Sequence, residues 1–142
     1  MVCVDYSGDD VKVYGLIAVK EEDLSVLAGF LPMFPHYSEV RGRFAKARIL
    51  RAFPKRYGKV EAYIEKLVVS KDLRVIVEEL EKLKGRVRVV YADIHVYRRV
   101  RGSLRGVKVL SENKKLLRRR EPGVLTAFNI LDLAINQYKR KR

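Results

Sequence analysis

Three aspartates stand among apolar neighbours that make an ionised carboxylate expensive. Asp5 follows Val2-Cys3-Val4, Asp93 follows Val89-Val90-Tyr91-Ala92, and Asp132 lies inside Phe128-Asn129-Ile130-Leu131-Asp132-Leu133-Ala134-Ile135. At such places a carboxylate costs several kcal/mol unless it is paired, hydrogen-bonded or metal-bound. Taken singly, Asp5 could cap a turn, Asp93 could occupy an exposed edge, and Asp132 could pair with an arginine. Taken together, they supply one acid each from an early segment, a late segment and the last helical stretch. Convergent carboxylates suit Mg²⁺ or Mn²⁺, which take oxygen ligands. Two such ions about 4 Å apart can hold an attacking water and a leaving oxygen in line across a phosphodiester.

The cations point to the same substrate. Thirty-one Lys and Arg against 17 Asp and Glu give a net charge of +14. Of these, 22 fall in three blocks: Arg41 to Lys59, Arg98 to Arg120, and the tail Lys139-Arg140-Lys141-Arg142. The first block contains no acid and the second only Glu112. Clustered charge builds a local field that recruits polyanions, so nucleic acid, RNA or DNA, is the expected partner. Arg98, Arg99, Arg101, Arg105, Lys114, Lys115, Arg118, Arg119 and Arg120 are the candidate contacts. A membrane surface is not expected, because no basic stretch is also a strongly amphipathic helix with aromatic anchors.

Other signals exclude more than they assign. Cys3 is the only cysteine, and with His36 and His95 it makes no zinc spacing. The chain opens without a signal-peptide pattern, and its longest uncharged apolar stretch, Leu24 to Pro35, is too short to span a bilayer. A cytoplasmic protein is therefore expected. Gly102-Ser103-Leu104-Arg105-Gly106 lacks the ending of a phosphate loop, and Ser111-Glu112-Asn113-Lys114 matches a Ser-x-x-Lys motif without its context. His95, near Asp93, could shuttle protons, although a packed or exposed strand histidine is commoner.

The elements that must position these residues follow from periodicity. Val2–Tyr6 and Val11–Lys20 flank a Ser-Gly-Asp-Asp turn and predict a hairpin. Glu21–Phe30 predicts a helix with acids in its first turn. Phe44–Leu50 fits helix or strand, with helix preferred. Val60, Ile64, Leu67 and Val68 form a helical stripe, as do Leu73, Ile76, Val77, Leu80 and Leu83 before Gly85. Val87–Tyr97 predicts one long strand, Val107–Leu110 a shorter one, and Pro122 opens a last helix to about Lys139. The order is that of a single α/β domain over residues 1–142 with a basic tail at 139–142.

Three stretches resemble the ribonuclease H-like superfamily: Val4-Asp5-Tyr6-Ser7-Gly8 before a second strand, Val89-Val90-Tyr91-Ala92-Asp93, and Phe128-Asn129-Ile130-Leu131-Asp132-Leu133-Ala134. The Asp-x-Ser-Gly opening and Asn-x-x-Asp-Leu-Ala ending also resemble uncharacterised branches of it. The resemblance implies an RNase H-like fold, a mixed central sheet flanked by helices. It also implies metal ligands at Asp5, Asp93 and Asp132, Asn129 as a supporting group, and a catalytic glutamate on the first helix after the hairpins. Glu65 is preferred for that glutamate, with Glu61 as the alternative. A third antiparallel strand is implied too, to be supplied by Ala45–Phe53 or Val60–Val69.

Two function classes follow. One is a divalent-metal nuclease using Asp5, Glu65, Asp93 and Asp132, with a homodimer or partner protein to complete substrate choice. The other is a non-catalytic nucleic-acid-binding protein with a degenerate site. A weaker third is a subunit whose basic surface docks an acidic protein.

Overall fold

The computed structural model describes residues 1–8, 11–104, 107–111, 117 and 120–140. Five strands form one mixed sheet: β1 (Val2–Ser7), β2 (Val13–Val19), β3 (Ile64–Ser70), β4 (Val89–Ala92) and β5 (Lys108–Ser111). Their order is β3-β2-β1-β4-β5. The first three pair antiparallel, while β4 and β5 add to β1 in parallel. Among the described residues, five continuous α-helices flank the sheet: α1 (Leu24–Ala28), α2 (Arg43–Gly58), α3 (Leu73–Leu83), α4 (Ile94–Ser103) and α5 (Pro122–Arg140).

Strand alternation divides the core in two. Val2 and Val4 of β1 pack with Leu16 and Ala18 against Ile76 and Leu80 of α3 and Val96 and Val100 of α4. Cys3, Ile17 and Val19 face the other way, with α5, Leu27, Leu50 and Phe53. Helix α5 is buried almost continuously from Gly123 to Ile135, so it reads as apolar nearly all round. It lies against the sheet and is overlaid by α1 and α2. Gly123 permits the α1 contact: an added Cβ would collide with the Leu24 carbonyl oxygen.

Two expected elements are corrected. Val60–Val68 is not helical. After a 3-10 turn at Glu61–Tyr63 the chain enters β3, and Tyr14 to Ala18 pair with Ser70 to Lys66. Ile64, Leu67 and Val69 join one core and Val68 the other, so the apparent helical stripe was a two-sided strand. The third antiparallel strand is thus supplied by the Val60–Val69 alternative. Likewise, Val87–Tyr97 is not one strand. Asp93 ends β4 and caps α4, its carboxylate accepting from the His95 N–H at 2.8 Å. Val96, Val100 and Leu104 then bury one stripe of a helix in spite of its β-branched composition. The helix preferred around Phe44–Leu50 is present as α2. Glu21–Phe30 divides into a 3-10 turn and the short α1.

Candidate nucleic-acid interface

The four acids of the expected metal site occupy different environments. Asp5 is 7% exposed, on the α5 side of the sheet, and its Oδ1 accepts from the Tyr6 N–H at 2.8 Å. Asp93 lies directly after the neighbouring parallel strand β4, where its N–H donates to the Val4 carbonyl at 2.9 Å. Its carboxylate is held by the backbone and ring of His95, with Oδ1 2.7 Å from Nδ1. His95 in turn stacks near Tyr6, with centroids 5.3 Å apart.

Asp132 is turned toward the connection before α2. Its Oδ2 accepts from the Tyr37 N–H at 2.8 Å and stands 3.7 Å from His36 Nε2. Asn129, one turn earlier, is 3% exposed, and its side-chain oxygen has no hydrogen-bond partner among the described residues.

Glu65 corrects the expectation of a helical glutamate. It is exposed on the edge strand β3, and β2 separates it from Asp5. Glu61, the alternative, is exposed in the preceding 3-10 turn. The first helix after the antiparallel strands is α3, where Glu79 is instead engaged by Lys66 of β3. That contact pulls the Glu79 carboxyl below its usual range. Among the described residues, no three His, Cys, Asp or Glu side chains gather into a group that could hold a metal ion.

Four of the candidate cations lie among the described residues. Arg98, Arg99 and Arg101 are exposed on α4, and Arg120 is exposed before α5. Arg105, Lys114, Lys115, Arg118 and Arg119 lie outside the described residues. Among the described residues, a further set of cations lies on the opposite face of the sheet from α4. A cleft of about 820 Å³ between α2 and α5 is lined by Arg43, Lys46, Lys139 and Arg140 together with Tyr37 and Asn136. None of the described residues lining it is acidic.

Local geometry holds these cations in place. Lys46 lies over the Tyr37 ring at 5.0 Å from its centroid. Lys139 donates to Ser7 Oγ at 2.9 Å, anchoring the end of α5 to the sheet. Helix α2 begins at Gly42 (φ 90°) without a side-chain cap, and its first turn holds no acid. Cations there oppose the helix dipole by about 0.3–1 kcal/mol each, while an anion would be favoured. The acid-free Arg41–Lys59 block was legible as charge, but its pairing with the C-terminal block depends on α2 packing over α5. Among the described residues, no helix is long and apolar enough to cross a membrane. In comparisons with known proteins, the chain matches no protein-family model and no curated protein sequence.

Proposed function

We propose that this chain binds nucleic acid, holding the phosphate backbone in the cleft between α2 and α5. The observation that carries this reading is the convergence of Arg43, Lys46, Lys139 and Arg140 on a cleft with no acid among its described lining residues. Four cations from two helices impose a field that a single basic run does not. Phosphate contacts fix position without reading sequence, so binding of this kind tolerates many sequences. The test is a salt series of anisotropy titrations with labelled RNA and DNA. Affinity should fall linearly on a log–log plot, by about 0.7–0.9 per phosphate neutralised. A slope near zero contradicts it.

A divalent-metal nuclease is the second reading. It is favoured by the near-buried Asp5 on β1 near Asp93 at the end of the parallel neighbour β4, and by three antiparallel strands leading the sheet, as the ribonuclease H-like resemblance implies. It requires a further donor to join those two acids. Metal-dependent cleavage by the wild type, lost in Asp5→Asn, would establish it.

A further inference from the structure

The outer face of α2 carries a second arrangement, distinct from the cleft. Phe44 is 83% exposed, an unusual setting for a phenyl ring on a helix. Arg48, Arg51, Lys55 and Lys59 follow at spacings of four, three, four and four residues, and all are exposed. At 3.6 residues per turn these five positions lie along one edge of the helix, about 20 Å long. The other side of α2 is committed to the core through Leu50 and Phe53.

A lone exposed aromatic needs no explanation, but one at the head of a continuous basic stripe has a specific use. We infer that this edge is a track for single-stranded nucleic acid, with Phe44 stacking on an unpaired base and the stripe following the backbone. The inference rests on the nucleic-acid reading above and names the form of the ligand. Every base has a π-face, so such a platform tolerates any sequence, while a duplex keeps its bases stacked and out of reach. A second copy of this chain would face its own positive charge. A membrane surface is a poorer fit, because the apolar side of α2 is already buried and only one aromatic faces outward.

The test uses the full chain with fluorescein-labelled oligothymidylate and oligouridylate, and with a hairpin duplex of equal length. Phe44→Ala should weaken binding of the single strands by roughly 5- to 100-fold, while duplex affinity and the salt slopes stay unchanged. Phe44→Tyr should restore most of the loss, since its ring also stacks. Phe44 is so exposed that both variants should keep the wild-type melting temperature. Equal binding of single strands by wild type and Phe44→Ala would overturn the track while leaving the nucleic-acid reading intact. Binding of no nucleic acid by wild type would overturn both. Phe44-dependent binding to phosphatidylserine vesicles, without preference for single strands, would assign the edge to a membrane surface instead.

Discussion

Arg140 donates from Nη1 to the Ala47 carbonyl oxygen at 3.3 Å, tying the last turn of α5 to the second turn of α2. The contact closes one end of the basic cleft. It sets a C-terminal cation beside the N-terminal half of a helix far away in sequence. The nucleic-acid reading depends on that juxtaposition more than on the total charge.

Arg43 and Lys46, whose side chains make no hydrogen bond among the described residues, should show their effect chiefly in binding. Arg43→Glu with Lys46→Glu is expected to lower affinity for RNA or DNA at least tenfold. Replacing both by alanine should reduce the salt slope by about one per lost phosphate contact. Lys84→Glu, on exposed backbone after α3, should change little. Anisotropy titrations at several salt concentrations measure all three.

Helix α4 lies across the sheet from the cleft, so its cations should matter less. Arg98→Ala with Arg101→Ala is expected to cost less than half the free energy lost by the Arg43 and Lys46 pair. The same titrations check this. The opposite ranking would move the binding surface to α4.

Asp5→Asn separates the two functional readings. The amide retains an oxygen that can accept from the Tyr6 N–H, so the fold should survive. A binding protein should show equal or tighter nucleic-acid affinity in this variant and no change in Mn²⁺ heats by calorimetry. Loss of a metal-binding heat, together with loss of cleavage, would instead support the nuclease.

Much of the fold was legible where periodicity and neighbours agreed. The β1–β2 hairpin has a turn between two Val-rich runs, α3 has a clean apolar stripe, and α5 has Pro122 at its start. Legibility failed where tertiary pairing overrode local pattern. Val60, Ile64, Leu67 and Val68 fit a helix by spacing, yet the open edge of β2 captures them as β3. Val, Tyr and Ile after Asp93 favour a strand, but the Asp93 cap and the Val96–Val100–Leu104 stripe turn the chain into α4. At the site, the three aspartates were found as unusual carboxylates. Their orientations were not readable, because Asp132 is claimed by the Tyr37 N–H from a distant segment. In the sequence Phe44 marks only the start of the Phe44–Leu50 segment, and its exposure is visible only in the packing.

Two depressed carboxyls contribute to the acid side of the stability curve. Lys66 hydrogen-bonded to Glu79 and Arg74 hydrogen-bonded to Asp72 each hold a carboxyl below its usual range. A lowered folded-state pKa contributes stability that is present above the unfolded value and lost as pH falls through the folded one. Melting temperature should therefore hold above about pH 5 and fall as pH drops through the ordinary carboxylate range and below. Glu79→Gln and Asp72→Asn should each lower the plateau and flatten the decline. A wild-type decline left unchanged in both variants would assign it to other groups.

Gly123→Ala should destabilise by about 3 kcal/mol or more, because the new Cβ meets the backbone of Leu24, with its carbonyl carbon only 2.8 Å away. Gly15→Ala should cost only about 1 kcal/mol, since its nearest obstacles, Leu131 Cδ1 at 2.6 Å and Ile135 Cδ1 at 3.0 Å, are ends of flexible side chains. Denaturant melts of the two variants give the comparison.

Lysine footprinting is the most direct test of where nucleic acid sits. The chain would be acetylated briefly with and without saturating oligouridylate, and each lysine quantified by mass spectrometry. The expected result is strong protection of Lys46 and Lys139 in the cleft, with Lys71, Lys82 and Lys84 as reactive as in the free protein. Protection of those three with Lys46 and Lys139 unchanged, or no protection anywhere, would contradict binding in the α2–α5 cleft.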